Sequence, residues 1–212
     1  MYKAFVLDCD GVIFDTNFLK IKAFRKCLEN FPKSFVEECI GYVRENFGKT
    51  REHFFHYFLS NYMGNYDVDI YKSMLKNYGN CCRSLYRKAL FTEGFQDFMK
   101  DSYNKGIKLF VASGNAEGEL KEAFFLHEID SYFEGIYGAP HLKEEVIEKV
   151  LNRYDRASIA MFGDALMDYR AAELHDVDFI YISKYSANRE YMESLQEEKK
   201  FIIFHTFRDF SL

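Results

Sequence analysis

Asp8 and Asp10 stand two residues apart at the end of a short apolar run, Lys3 to Leu7, and Gly11 follows them. Alternate residues of an extended run share one side, so both carboxylates project together while Cys9, between them, points into the core. Two more polar groups end similar runs. Ser113, with Gly114 and Asn115, follows residues 107–112, and Gly163 with Asp164 follows residues 158–162, Asp168 coming four residues later. Singly, each has an ordinary explanation as a helix cap, a turn residue or a first-turn carboxylate favoured by the helix dipole. Gathered on one rim, at least three carboxylates repel one another unless a cation neutralises them. An oxygen-only set, with no Cys or His partner, suits a hard cation, and Mg²⁺ is the natural one.

The elements that would position these groups are legible from hydrophobic periodicity. Five short apolar runs, the last two at residues 179–183 and 201–204, are separated by helical patterns such as Phe95, Phe98, Met99 and Val146, Ile147, Val150, Leu151. Strand alternating with helix predicts an α/β fold with a doubly wound parallel sheet, in which ligands bind outside the carboxyl ends of the strands. The first two runs are about 100 residues apart, far beyond the dozen or so that a crossover needs, so something folded lies between them. Apolar residues recur there at helical spacing: Ile21, Phe24, Leu28, Phe31, then Val36, Cys39, Val43, Phe47, and on through Phe54, Phe58, Ile70, Met74, Leu85 and Ala89. The expected organisation is an α/β core from 1–16 and 91–212 with an all-helical insertion at 17–90. Pro32, Gly41, Gly48, Gly64 and Gly79 fall mostly between the helical patterns.

Composition narrows the class. The 212 residues are 48% hydrophobic and 29% charged, with 23 Phe, 16 Tyr and no Trp, which excludes a disordered chain. A net charge of -5 without any Lys/Arg-rich run argues against nucleic acid as a partner. Five cysteines, two of them adjacent at Cys81 and Cys82, read as reduced thiols, and His53 with His56 lacks the further ligands of a zinc site. No signal-peptide pattern and no membrane-length apolar stretch are present, so the expectation is a soluble cytoplasmic protein without membrane partners.

Asp8-Cys9-Asp10-Gly11-Val12-Ile13-Phe14-Asp15-Thr16 resembles the first signature of the haloacid dehalogenase (HAD) superfamily of phosphatases. Val111-Ala112-Ser113 is similar to its second motif, Gly138-Ala139-Pro140-His141-Leu142-Lys143 to its third, and Gly163-Asp164-Ala165-Leu166-Met167-Asp168 to its acidic fourth, all in family order. Ala165 replaces the Ser or Thr often found after the fourth-motif Asp, and Gly114 stands where many relatives differ. The helical insertion occupies the place of the family's cap, as in the phosphoglycolate phosphatase and β-phosphoglucomutase-like branch.

The resemblance implies a role for each matched position. Asp8 is the expected nucleophile, carrying an aspartyl-phosphate, and Asp10 the acid/base partner whose backbone carbonyl also ligates Mg²⁺. Ser113, Gly114 and Lys143 are expected to hold the phosphoryl oxygens. Asp8 and Asp164 are expected to bind the metal directly, and Asp168 through water. In the insertion, Gly48-Lys49-Thr50-Arg51 resembles a Gly-x-x-Arg cap turn, which makes Arg51 a candidate for a second anionic or polyhydroxyl part of the substrate. The implied reaction is Mg²⁺-dependent hydrolysis of a small phosphomonoester, such as a sugar phosphate. A phosphoglucomutase-like isomerase shares the matched residues. A dehalogenase lacks the second acid, and a phospho-aspartate receiver lacks both the insertion and the D-x-D spacing; a silent binding protein on this fold is the remaining alternative.

Overall fold

The computed structural model describes residues 1–64 and 67–211; of the expected helical insertion, only 65 and 66 lie outside it. Strand β1 (Ala4–Leu7) is four buried residues, as its uninterrupted apolar sequence requires of a strand covered on both faces. It lies at the centre of a six-stranded parallel sheet of order β3-β2-β1-β4-β5-β6, formed with β2 (Lys108–Ala116), β3 (Phe133–Ala139), β4 (Ile159–Gly163), β5 (Asp178–Ile182) and β6 (Ile202–Phe204). Val6 is paired with Phe110 of β2 on one side and with Met161 of β4 on the other.

Side-chain alternation divides the strands between two apolar layers. Ala4, Val6, Phe110, Met161 and Tyr181 pack with Val146, Ile147, Tyr169 and Met192 of α7 (Lys143–Leu151), α8 (Leu166–His175) and α9 (Arg189–Lys199). Phe5, Leu7, Val111, Phe162 and Ile180 face the other way, toward α5 (Phe95–Asn104) and α6 (Glu117–Leu126). The fold is thus α/β and doubly wound. Phenylalanine fills the second layer: Phe98 stacks on Phe5 at 5.5 Å between ring centres and tilts against Phe162 at 5.1 Å. These are distances at which offset and edge contacts add to simple burial.

Between β1 and α5 stand α1 (Asn17–Cys27), α2 (Lys33–Glu45), α3 (Arg51–Tyr62) and α4 (Val68–Tyr86). Pro32 precedes α2, and Thr50 caps α3 by accepting from the His53 amide. Gly41 and Gly79 fall inside helices rather than between them. The second apolar layer continues into this helical group through Phe24, Phe55, Phe58 and Tyr78. Among the described residues no helix is long and apolar enough to cross a membrane.

Two features differ from the periodicity. The strand β3 was not expected; it is an edge strand, paired only with β2, and Phe133-Glu134-Gly135-Ile136-Tyr137-Gly138-Ala139 is largely half-buried and carries two glycines, which erase the apolar run that marks the central strands. Strand β2 does not end before Ser113 but runs on to Ala116, its pairing with β3 shifting register between Ala112 and Ala116.

Candidate active site

The carboxyl ends of β1, β2 and β4 bring the polar groups together because all three strands are parallel and adjacent. Asp8 follows β1, Ser113 lies within β2 where its pairing with β3 shifts register, Asp164 follows β4, and Lys143 and Asp168 sit in the first turns of α7 and α8. Asp8, Asp10, Ser113, Lys143, Asp164 and Asp168 are all buried, none more than 7% exposed, so each charge must be answered nearby.

Lys143 answers two of them. Its Nζ donates to Asp8 Oδ1 at 2.7 Å and to Asp168 Oδ1. The other oxygen of Asp168 accepts from the backbone N–H groups of Ala165 at 3.0 Å and Asp164 at 3.2 Å, which closes the start of α8 and spends that carboxylate on the turn. Asp164 Oδ2 accepts from Asn17 Nδ2 at 2.6 Å, whereas Oδ1 is buried with no hydrogen-bond partner among the described residues. Ligand oxygens of Asp8, Asp164 and Asp168 lie within 4.8 Å of one another. Burial, only partly offset by Lys143, pushes the Asp8 carboxyl up to about 7, and burial together with Asp168 and Asp8 raises Asp164 well above the ordinary carboxylate range. One ammonium for three carboxylates leaves room for a cation, and an orphaned oxygen on one of those carboxylates is the kind of donor a hard divalent ion takes.

Asp10 has a different environment. Its Oδ1 accepts from Thr16 Oγ1 at 2.5 Å and from Tyr86 Oη at 2.7 Å, and its Oδ2 from Asn115 Nδ2 at 2.6 Å and Lys20 Nζ at 2.7 Å. Burial alone would raise this carboxyl, but Lys20 and the converging donors outweigh it and hold it below its usual value. Lys20 Nζ also donates to Asn115 Oδ1 at 2.5 Å, and Asn115 in turn donates to Ser113 Oγ at 2.9 Å. Four elements therefore meet on one side chain: the turn after β1, α1, α4 and β2.

Gly114 permits a close approach. A Cβ there would lie 2.8 Å from the Gly48 carbonyl oxygen and 3.0 Å from that of Lys49, so the turn between α2 and α3 rests directly on the end of β2. A small cavity of about 20 Å³ lies beneath this turn, lined by Asp8, Asp10 and Ser113 together with Lys20, Arg51 and Phe54. It adjoins a wider recess of about 330 Å³ bordered by Lys49, His53, His141 and Lys143.

Arg51 reaches this cavity, but its guanidinium is committed: Nη1 and Nη2 donate to the two oxygens of Glu119 at 2.9 and 2.5 Å, and both side chains are buried. Periodicity and motif spacing pointed neither to Glu119 nor, among the groups around Asp10, to Lys20 and Tyr86. Lys20 had one available signal, a cation beside Ile21 and within a turn of Phe24 on the buried face of α1. Tyr86 and Asn17 had none.

The model of the haloacid dehalogenase-like hydrolase family matches residues 5–182, and the chain belongs to that family. No curated protein matches the chain. Among solved structures it is similar to a predicted phosphoglycolate phosphatase from Haemophilus somnus, at 15% identity and a TM-score of 0.78 over 98% of this chain and 96% of that one. It is also similar to a haloacid dehalogenase-like hydrolase from Streptococcus pneumoniae, at 18% identity and a TM-score of 0.71 over 96% and 94%. CbbY from Rhodobacter sphaeroides, solved in complex with xylulose-1,5-bisphosphate, aligns at 16% identity and a TM-score of 0.69 over 85% and 86%.

Proposed function

We propose that the chain is a Mg²⁺-dependent phosphohydrolase acting on a small phosphomonoester, a sugar phosphate being the type in view, through an aspartyl-phosphate on Asp8. The observation that carries this reading is the three-carboxylate cluster with its orphaned Asp164 oxygen beside a cavity that also holds Asp10. In this reading 17–90 form a cap over a core made of 1–16 and 91–212, and the enzyme works in the cytoplasm.

Asp8, Asp164 and the Asp10 backbone carbonyl would hold Mg²⁺, with Asp168 supporting from its place on α8. When bound, the ion would neutralise carboxylate and phosphoryl charge and keep Asp8 ionised in spite of its burial. Asp8 attacks phosphorus, the ester oxygen leaves with a proton from Asp10, and water then attacks the acyl phosphate while Asp10 takes its proton back. Ser113, the backbone at Gly114 and Lys143 orient the phosphoryl oxygens and offset their charge. The four donors around Asp10 suit its carboxylate form; one of them has to yield when Asp10 carries the proton for the leaving oxygen.

The test is phosphate release from a panel of metabolite monoesters with Mg²⁺ present. Release that EDTA abolishes and Mg²⁺ restores supports the reading. Undiminished release in the chelator removes the metal, and transfer of phosphate within a sugar without release identifies an isomerase instead.

A further inference from the structure

Asn17, the first residue of α1, is 3% exposed and has no part in the reaction described above. Its amide nitrogen has two partners: Nδ2 donates to Asp164 Oδ2 at 2.6 Å and to the Tyr185 carbonyl, in the loop after β5, at 2.9 Å. With an acceptor for each hydrogen the amide can face only one way, because a flip would set its oxygen against the carboxylate and the carbonyl together. The three carboxylates of the cluster are unequally served. Asp8 and Asp168 each accept from the Lys143 ammonium, whereas among the described residues Asn17 is the one hydrogen-bond donor to the Asp164 carboxylate.

Several elements build this contact. Gly11, at φ +79°, passes so close that a Cβ there would lie 2.5 Å from Asp164 Oδ2 and nearer still to Asn17 Nδ2, so only glycine leaves room for the pair in the turn after β1. Ser186 Oγ donates to the Asp164 carbonyl at 2.5 Å and the Asp164 amide donates to Asp168, which fixes the backbone and leaves the side chain to Asn17. An amide suits that task. It carries no charge, so it orients the carboxylate without neutralising it, as an ammonium in the same place would. It also engages Oδ2 and not Oδ1. Asp164 Oδ1 and Asn17 Oδ1 are both buried without a partner among the described residues; such orphans are rare in a folded protein, and here two belong to a single hydrogen-bonded pair.

We propose that Asn17 is a positioning residue for Asp164: by holding Oδ2 it fixes the carboxylate and leaves Oδ1 for Mg²⁺. The inference rests on the phosphohydrolase reading, in which Asp164 binds the ion, and extends the support of the metal to a residue outside the four motifs. Because Asn17 opens α1, the entry to the helical insertion becomes part of that support.

The experiment measures the Kd for Mg²⁺ alone by isothermal titration calorimetry, together with the metal-free melting temperature, in the wild-type protein, Asn17→Leu, Asn17→Ala and Phe18→Ala. Leucine keeps the size of the side chain without the donor, and should weaken Mg²⁺ binding by about tenfold or more, the usual effect of removing a hydrogen-bond partner from a ligating side chain. Asn17→Ala should weaken it to the same degree, and decides the matter should Asn17→Leu fail to fold. Phe18→Ala changes an exposed neighbour in the same turn of α1 and should leave Kd where it is. A Kd unmoved by loss of the amide, even with a lowered metal-free melting temperature, reduces Asn17 to a part of the fold and overturns the inference. An equal loss in Phe18→Ala traces the effect to a disturbed helix start and overturns it too. In either case Mg²⁺-dependent phosphate release by the wild type leaves the hydrolase reading standing. A wild-type protein that binds no Mg²⁺ removes the metal from that reading, and this inference falls with it.

Discussion

At the scale of single residues the site separates two aspartates that the sequence presents as near twins. Asp8 sits in a cluster short of positive charge, and Asp10 in a ring of donors. Asp8→Asn keeps the shape and removes the proposed nucleophile, so turnover should fall on the order of 10³-fold or more. Asp10→Asn should cost much more with an alkyl phosphate than with para-nitrophenyl phosphate, whose phenolate departs with little protonation. Steady-state rates for both esters, with intact-mass detection of a phosphorylated Asp8, check the pair; equal losses on both esters would take the proton-transfer role from Asp10. The raised carboxyl of Asp8 has a second consequence in the metal-free protein. A folded-state value lifted to about 7 contributes stability that is complete below the ordinary carboxylate range and is lost as pH rises through about 7. The melting temperature in EDTA should accordingly fall from about pH 5 to pH 8, and saturating Mg²⁺ should flatten that slope. A metal-free protein equally stable at both would show that Asp8 is ionised without help. Asp8, Ser113 and Asp164 were legible because each ends an apolar run and the runs share one rim, whereas Lys143 was legible only through its family motif. Lys20, Tyr86 and Asn17 were not, because what marks them is a partner distant in sequence: Tyr86 meets Asp10 and Asn17 meets Asp164 only once α4, α1 and the sheet are assembled.

Secondary-structure elements show the same division. The central strands could be read because burial on both faces demands an unbroken apolar run, and β3 could not, because an edge strand escapes that demand. Helices of the insertion were visible as apolar stripes, yet Gly79 looked like punctuation and is instead a notch in α4 that admits an ion pair. Gly114 has a comparable steric task against the turn at Gly48 and Lys49. Gly114→Val should therefore displace that turn and lower kcat/KM by about tenfold or more while leaving far-ultraviolet dichroism unchanged, since a small misplacement at a site costs rate before it costs fold. A variant of wild-type activity would mean that the turn moves aside freely. Within the sheet, Phe162 touches Phe5, Phe98 and Phe207 and is fully buried; Phe162→Ala should destabilise by about 3–5 kcal/mol in denaturant titration, the usual cost of a large core cavity.

The whole molecule couples these parts through a chain order that is not the spatial order. Because an ion bound to the folded cluster has no comparable site in the unfolded chain, saturating Mg²⁺ should raise the melting temperature by several degrees, of the order expected for about 100 times the dissociation constant. Calorimetry with and without the ion checks this, and an Asp164→Ala variant should lose the shift. The central position of β1 also bears on how the protein is made. This strand leaves the ribosome before the strands that flank it, β2 and β4, which begin at Lys108 and Ile159. At a synthesis rate of about 5–20 residues per second, its apolar residues wait several seconds for either neighbour. The insertion helices, whose contacts are closer in sequence, emerge first and can organise during that wait. Asp8 is thus translated well ahead of its carboxylate companions and acquires them only when α8 has been delivered: a nascent chain lacks the assembled cluster until that helix is out.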